Sequence, residues 1–313
     1  MRSSPDDGTA DPSRSAGDER LGMAAAVGAA VIYGAAYPAT AVALRSFSPL
    51  AVAGLSCTLA LVIVIGLVVA GALPRTSPAS MTGPRLARLS LLALLGGLLF
   101  IVGVNIAVAI SGPTITGFVA PLYAVLATLF AVPLLGERVR ASTLVAFGLA
   151  FVGTAFLAGA VPAGAPVAGV LLALASAAMF GLYVVLARRW SRPHHLDGTL
   201  VTIANLIGRG PVLLVAAVLL DPDPVIPADP DPAAVVALLT IVFGASTSGN
   251  LLLVAAVRRV SAGRTSAALL LTPVASAVIA ALVLDDRLSP VGIVGAGLIL
   301  AAMAIASGLL TRR

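Results

Sequence analysis

Leu135-Gly136-Glu137-Arg138-Val139 ends one apolar segment of the chain, and 149 residues later Leu284-Asp285-Asp286-Arg287-Leu288 ends another. An earlier match pairs Tyr33-Gly34 with Phe180-Gly181 at an offset of 147 residues. Two matches at nearly the same offset predict that the chain consists of two related halves.

The segments around these motifs are long and apolar. Hydrophobic residues make up 59% of the 313 and charged residues only 10%, so a soluble fold would expose large apolar patches. A helix needs about 20 apolar residues to cross the hydrocarbon core of a membrane. We find ten such segments, at 22–43, 49–72, 88–110, 114–135, 141–159, 166–188, 199–220, 233–256, 264–284 and 290–309.

Arginine provides all 19 positive charges of the chain. With the N-terminus inside, sixteen arginines fall in inside segments, whereas outside segments hold Arg45 and Arg287. Cytoplasmic loops carry the excess of basic residues in membrane proteins. The distribution therefore predicts a multi-pass protein of the cell (plasma) membrane with both termini cytoplasmic. Arg209 is the exception, because it lies within a span.

The order of the segments predicts the domain organisation. Residues 1–20 are polar and rich in Ser, Asp and Gly, which predicts a disordered cytoplasmic tail. The two repeats cover 21–160 and 164–311, with five spans each, and the odd number inverts the second repeat in the membrane. The predicted fold is an all-α integral membrane protein with ten transmembrane helices in two inverted five-helix repeats. In transporters such repeats form a substrate site near the midplane and alternate its access by rocking.

Arg209 lies midway along the seventh span, in Gly208-Arg209-Gly210-Pro211. A charge at the bilayer centre costs about 2.5–3.5 kcal/mol on insertion scales, and none of the 13 acidic residues falls at the centre of a span. We expect Arg209 to attract an anionic group of a substrate, such as a carboxylate, which guanidinium binds bidentately. The alternatives are that Asn205, tyrosine hydroxyls or carbonyls freed at Pro211 satisfy it, or that it extends to the interface.

Other polar side chains within the spans are candidates for lining a substrate cavity. Tyr33 and Tyr37 are one helical turn apart and share a face, and a tyrosine in hydrocarbon needs a partner for its hydroxyl. A cavity or hydrogen bonds between helices would each provide one, so both interpretations stay open. The candidate substrate-binding residues are Arg209, Tyr33, Tyr37, Tyr123, Tyr183, Asn205, Asn105 and Asn250.

Glu137 and Asp286 are carboxylates at matching positions of the two repeats, one predicted inside and one outside. Each follows a span, which favours capping of a helix or pairing with the adjacent arginine; a gating or proton-carrying role is the alternative. Proton coupling needs a titratable group on the pathway. The predicted spans hold none at their centres, which favours facilitated diffusion or exchange.

Together these features resemble the EamA-type transporters of the drug/metabolite transporter superfamily. The resemblance rests on Gly136-Glu137-Arg138-Val139, where the family has Gly-Glu-Arg-Leu, on Tyr33-Gly34, where it usually has Trp-Gly, and on Ser48-Pro49-Leu50 at the start of the second span. It implies a secondary transporter, and more specifically an exporter, of small metabolites or drug-like solutes.

Three positions depart from the family pattern. Ser56 stands where the family often has an arginine, Ala124 where the fourth span has a proline, and Asp286 where the second repeat has a glutamate. The role of the missing arginine is therefore not carried over, and neither is any particular substrate.

The sequence also argues against other classes of protein. It has no Gly-x-Ser-x-Gly motif, no histidine beside a serine within a span and no cluster of metal ligands, so we expect no catalytic residue, metal or cofactor. The basic charge belongs to cytoplasmic loops and not to a nucleic-acid site. The expected partners are the lipid bilayer and a small-molecule substrate; the oligomeric state is not predicted. The alternative function is a lipid-handling or structural membrane protein without a solute pathway, with a dry, leucine-packed centre.

Overall fold

A computed structural model describes residues 16–72, 83–136, 141–159, 167–194, 198–260, 265 and 268–306. These residues are almost entirely helical, and the ranges contain no strand. The predicted all-α class is therefore confirmed.

The helices of the described ranges are numbered in chain order, and each overlaps one predicted span, although α9 begins seven residues later than predicted and α1 six residues earlier. They are α1 (Ala16–Ala43), α2 (Pro49–Val69), α3 (Gly83–Ser111), α4 (Pro113–Leu135), α5 (Ala141–Gly159), α6 (Ala168–His194), α7 (Gly198–Leu220), α8 (Pro232–Thr240, Ile241–Gly249 and Asn250–Arg259), α9 (Leu271–Leu284) and α10 (Pro290–Ala306). The first helix begins inside the predicted tail, of which residues 1–15 lie outside the described ranges.

The described helices suit a membrane. Six of them, α1, α2, α3, α4, α6 and α8, are long and apolar enough to cross a bilayer, and the other four have apolar stretches of 10–17 residues. Large apolar side chains point outward, with Phe151 67% and Leu282 81% exposed. Lipid tails are as apolar as leucine, so such surfaces are stable in a bilayer. The chain is a multi-pass membrane protein.

The fourth helix of each repeat ends in a residue with a left-handed backbone conformation. Gly136 ends α4 with φ 69° and ψ 21°, and Asp285 ends α9 with φ 53° and ψ 25°. Both angles lie in the left-handed region, where glycine is at ease and aspartate is tolerated. The matched positions of the two repeats thus stop equivalent helices by the same backbone turn.

Glycines bring α1 against α9 and α6 against α4 in the same way. A Cβ on Gly34 would lie 2.6 Å from Thr272 O, and a Cβ on Gly181 would lie 3.0 Å from Tyr123 O. In each case the amide nitrogen four residues further on also lies close, at 2.9 Å and 3.1 Å. Because Thr272 follows Tyr123 by 149 residues, these two contacts between the halves correspond to each other with the repeats exchanged.

The two halves also meet each other through reciprocal contacts. In α2 a Cβ on Gly54 would lie 2.7 Å from Leu214 N of α7, and in α7 a Cβ on Gly210 would lie 2.9 Å from Thr58 N of α2. Each contact therefore has its counterpart with the roles of the helices exchanged. Reciprocal contacts of this kind are expected where a two-fold axis passes between the partners.

The pair formed by α5 and α10 behaves likewise. A Cβ on Gly153 would lie 2.8 Å from Gly295 O, and a Cβ on Gly295 would lie 2.7 Å from Gly153 O. Small residues allow such close approach of helix backbones in membranes. These two interfaces between the halves therefore depend on glycines, where a side chain would not fit.

Two helices share a departure from α-helical geometry. α3 contains the π-helical segment Ala93–Leu99, and α8 contains Ile241–Gly249, which begins 148 residues later. Extended π-helical segments are rare and are frequent at functional sites. Both segments lie in the interior of their helices, and both contact the polar residues described next.

Candidate functional site

Arg209 lies on α7 between two glycines that fix its surroundings. A Cβ on Gly208 would stand 2.6 Å from Ala93 Cβ of α3, and one on Gly210 would stand 2.9 Å from Thr58 N of α2. The helix therefore lies close against both neighbours at this level. The arginine side chain extends along α3, where a Cβ on Gly97 would be 3.1 Å from Arg209 Cδ.

One nitrogen of the Arg209 guanidinium lacks a hydrogen-bond partner in the described part of the chain. This nitrogen, Nε, is buried and donates no hydrogen bond there, and no described carboxylate forms an ion pair with the side chain. The carbonyls freed at Pro211 do not fill this gap at Nε. Buried polar atoms are nearly always hydrogen-bonded, so an orphaned donor calls for a partner beyond these residues.

Tyr33 of α1 connects this region to α8. Its hydroxyl donates a hydrogen bond of 3.0 Å to Asn250 Oδ1, and its ring packs against Gly249, whose Cβ would be 2.9 Å from Tyr33 Cε1. One turn further along α1, Tyr37 packs against the same buried cluster as Phe100 of α3. Residues from both halves of the chain thus converge around Tyr33.

Asn250 is held by the π-helical register of α8. Its Nδ2 donates to Ala245 O at 3.2 Å and to Ser246 O at 3.1 Å. In the same segment Thr247 Oγ1 donates to Val242 O at 2.8 Å. These side chains satisfy carbonyls that the change of helical register displaces from the normal ladder.

A row of aromatic rings borders the same region. The ring of Phe180 lies 4.5 Å from Phe100, 4.7 Å from Tyr123 and 5.1 Å from Tyr183, measured between centroids. The ring of Tyr183 lies directly over Gly96, where no Cβ would fit. Gly96 and Gly97, side by side in the π-helical segment, therefore make room for Tyr183 and Arg209.

Comparison with known proteins identifies the family. The model of the EamA-like transporter family matches residues 20–159 and 167–308, which together make up nearly the whole chain. The chain belongs to the EamA-like transporter family.

A solved structure supports the fold of this EamA-like transporter. It is described as "Crystal structure of protein", is 20% identical and superposes with a TM-score of 0.66, covering 93% of this chain and 98% of that one. No curated protein matches the chain. The family match confirms the predicted membrane transporter, and the structural likeness extends to the fold alone.

The structure does not bring all candidate residues of the EamA-like transporter together. Asn105 is buried, and its Nδ2 donates to Pro49 O at 3.2 Å, so it bonds to the start of α2 instead of joining the tyrosines. Tyr37 lies one turn beyond Tyr33 and packs beside Gly117. The side chain of Asn205 and the whole of Glu137 lie outside the described residues.

Asp286 of the EamA-like transporter follows α9 and contacts the start of α4, which belongs to the other repeat. Its Oδ2 accepts a hydrogen bond of 3.1 Å from Thr114 N, and its carbonyl accepts one of 3.4 Å from Thr114 Oγ1. The adjacent Asp285 pairs with Arg287 at 2.8 Å on the surface. In this conformation Asp286 caps a helix of the other repeat.

Further polar contacts join the repeats at the same end of the bundle, which we name the α7–α8 loop end. Ser48 Oγ donates to Asp221 Oδ2, and Asp231 N donates to Ser46 Oγ at 3.0 Å. Each of these bonds joins a residue of the first repeat to one of the second. The α7–α8 loop end of the transporter is therefore joined across the repeats by hydrogen bonds.

An apolar cavity of about 450 Å³ lies elsewhere, between α4, α5 and α6. Its lining includes Leu122, Phe147, Phe151 and Leu171, and its Thr154 hydroxyl donates to its own helix at Ala150 O. It offers no free polar group to a solute. We therefore assign it to the lipid-facing surface and not to the site around Arg209.

Sequence reasoning missed three contributors to the site. Gly97 accommodates Arg209, while Phe100 and Phe180 complete the aromatic row. The signals were present, since Gly96-Gly97 is a glycine pair within a span and Phe180-Gly181 matches Tyr33-Gly34. Neither pattern alone indicates which helix it faces.

Proposed function

We propose that this EamA-like transporter is a secondary transporter that exports small metabolites or drug-like solutes across the cell membrane. Ten transmembrane helices form two inverted five-helix repeats, with both termini in the cytoplasm. Rocking of the repeats exposes a central site to either side in turn. Arg209 attracts an anionic group of the solute to that site.

The observation that carries this proposal is the position of Arg209. The side chain lies between helices of both repeats, against Gly97 and next to the position where Tyr183 covers Gly96, and its buried Nε has no partner among the described residues. A charge in the membrane interior is costly unless it serves a function or faces water. A carboxylate or phosphate on a solute would pair with the guanidinium bidentately.

The reciprocal glycine contacts support the inverted arrangement. Gly54 of α2 and Gly210 of α7 lie in one interface between the halves, and Gly153 of α5 and Gly295 of α10 lie in another. In each interface the two helices make equivalent contacts with each other. Such interfaces lie on the axis about which the repeats can exchange conformations. The closed α7–α8 loop end, which the arginine distribution assigns to the outside, then corresponds to a conformation that is closed outward.

The other candidate residues are also given roles in the proposed site. Tyr33, Tyr123 and Tyr183 are partly accessible although they lie far from the helix ends, as expected of side chains that line a polar space. Tyr37, Asn205, Asn105 and Asn250 complete the proposed lining, and Glu137 and Asp286 are proposed to act in gating. No described carboxylate lies near Arg209, which favours facilitated diffusion or exchange over proton coupling.

A solute screen followed by flux measurement tests the proposal. Purified protein is screened for thermal stabilisation by metabolites, and the hits are assayed for efflux from proteoliposomes. We expect anionic hits whose stabilisation and flux are lost in Arg209→Ala and strongly reduced in Arg209→Lys, because lysine binds as a point charge without the fork geometry. Arg45→Ala is the control, since Arg45 is exposed at the end of α1.

Two results would contradict the proposal. Wild-type flux by folded Arg209→Ala protein would remove the arginine from the mechanism. Absence of flux for every hit would instead favour the lipid-handling or structural alternative, which the family assignment does not favour.

A further inference from the structure

The orientation of the Asn250 amide follows from its neighbours. Two backbone carbonyls, Ala245 O at 3.2 Å and Ser246 O at 3.1 Å, face one end of the amide. Only the NH₂ end can bond to two acceptors, because a flipped amide would set oxygen against oxygen. The oxygen Oδ1 must therefore face Tyr33.

This orientation fixes the direction of the hydrogen bond between Asn250 and Tyr33. Oδ1 only accepts, so the proton in the 3.0 Å contact belongs to the Tyr33 hydroxyl. A phenol has one donor and two acceptor lone pairs. With its donor committed to Asn250, Tyr33 has only acceptor capacity left for a ligand.

Packing keeps Tyr33 in this role. Its ring lies against Gly249, where a Cβ would be 2.9 Å from Tyr33 Cε1, and the residue remains partly accessible. One turn along α1, Tyr37 packs against the same buried cluster as Phe100, and the aromatic row of Phe100 reaches Tyr183 at Gly96, beside Arg209 at Gly97. The Arg209 guanidinium has five donors and no acceptor. The Tyr33 hydroxyl, whose proton is donated to Asn250, can only accept. Arg209 therefore binds acceptor groups of a ligand and Tyr33 binds a donor group.

We infer that the site selects organic anions that also carry an N–H or O–H donor, with the anionic group bound to Arg209 and the donor to Tyr33. This inference rests on the proposed function, because it requires the anion site at Arg209. Anions without a donor leave the Tyr33 oxygen unpaired in a desolvated site, and such a loss discriminates against them. Tyr33 thus determines specificity, and Asn250 is the residue that positions it.

Paired probes that differ by one donor test the inference. The pairs are lactate with propionate, glycolate with acetate, and 3-phenyllactate with 3-phenylpropionate, measured by thermal stabilisation of the full-length protein and by flux in proteoliposomes. One hydrogen bond corresponds to a preference of about 2- to 10-fold for the donor-bearing member. We expect Tyr33→Phe to reduce this ratio to near one while Arg209-dependent binding persists.

A second variant distinguishes positioning from simple packing. Asn250→Leu releases the Tyr33 hydroxyl, which can then donate to a ligand, so the ratio should fall although the tyrosine remains. Thr240→Val, an exposed change whose hydroxyl bonds only to Val236 O of its own helix, is the control for α8.

The outcomes separate the two claims. Arg209-dependent binding that is equal for both members of every pair would overturn the inference and leave the anion site standing. A ratio unchanged in Tyr33→Phe would also overturn it. Failure of all six anions to bind in an Arg209-dependent manner would overturn the anion site and the inference together.

Discussion

Gly97 and Arg209 fit together so closely that a Cβ on the glycine would stand 3.1 Å from Cδ of the arginine. The glycine belongs to the π-helical segment of α3, and its neighbour Gly96 leaves room for Tyr183 in the same way. The path of the arginine side chain is therefore set by the absence of a side chain on α3.

Gly97→Ala should weaken solute binding without preventing folding. The added methyl would force the arginine off its present path, and overpacking of this kind costs about 1–3 kcal/mol. If this cost destabilises the conformation in which the guanidinium binds a solute, affinity for an anionic solute drops roughly 5- to 150-fold. Isothermal titration with a hit from the solute screen measures the change.

Gly66→Ala is the matched control, because nothing lies within 4 Å of a Cβ at this position of α2. It should bind the solute as the wild type does. Equal affinity of Gly97→Ala and wild type would show that the arginine does not act from its observed position.

The helix-ending turns at Gly136 and Asp285 predict opposite effects of two substitutions. Asp285→Gly should match or raise thermal stability, because glycine adopts φ 53° without strain. Asp285→Ala should cost about 1 kcal/mol, since alanine lacks the polar side chain that helps aspartate tolerate this region. Midpoints of thermal unfolding in detergent give the comparison.

Both variants lose the ion pair with Arg287, so this loss does not contribute to the difference in stability between them. The pair is 77% and 80% exposed, so its own contribution is small. An Asp285→Gly protein that is as destabilised as Asp285→Ala would contradict a backbone origin of the effect.

The positions of the helices could be predicted because the bilayer imposes their length. Runs of about 20 apolar residues are fixed by the thickness of the hydrocarbon core. The observed helices overlap the predicted segments, and six of the described ones are long and apolar enough to cross a bilayer. The start of α1 at Ala16 was not predictable in this way. Its first turn contains Asp18 and Glu19, whose polarity does not distinguish a helix outside the membrane from a tail.

The site was less accessible to sequence reasoning than the spans. Arg209 stood out because a charge in a span is costly wherever its helix faces. Asn105 and Asn250 are alike in sequence, yet one bonds to Pro49 O and the other holds Tyr33. That difference depends on helix rotation and on the π-helical register of α8, both of which are set by tertiary packing and not by local periodicity.

Matched glycines in α5 and α10 test the interface between the halves. Gly153→Ala and Gly295→Ala should each lower stability by about 1–3 kcal/mol, because the methyl would meet a backbone oxygen at 2.8 Å and 2.7 Å. Gly148→Ala and Gly297→Ala lie on the same helices with nothing within 4 Å. They should be neutral or stabilising by roughly 0.5–1 kcal/mol, since alanine is the better helix former.

Chemical denaturation in mixed micelles would report these four changes. Equal effects of the tight and the open positions would mean that the reciprocal contacts do not hold the halves together. Additive effects of Gly153→Ala and Gly295→Ala would also be unexpected, because residues in direct contact are coupled.

Asp286 provides the test of closure at the α7–α8 loop end. Asp286→Ala removes the acceptor for Thr114 N at the start of α4, and loss of such a cap costs about 0.5–2 kcal/mol. The cost falls on the conformation in which the repeats are joined at this end. We therefore expect faster amide exchange in residues 113–119, detected by hydrogen–deuterium exchange mass spectrometry.

Asp286→Asn keeps an acceptor oxygen at the same position and should retain most of the protection. Asp223→Ala, an exposed change in the neighbouring loop, is the control. If amide exchange in residues 113–119 rises equally in Asp286→Ala and Asp223→Ala, the increase results from the loss of a negative charge and not from the loss of the hydrogen bond to Thr114 N. Unchanged exchange in Asp286→Ala would mean that the bond between Asp286 and Thr114 does not keep the repeats closed.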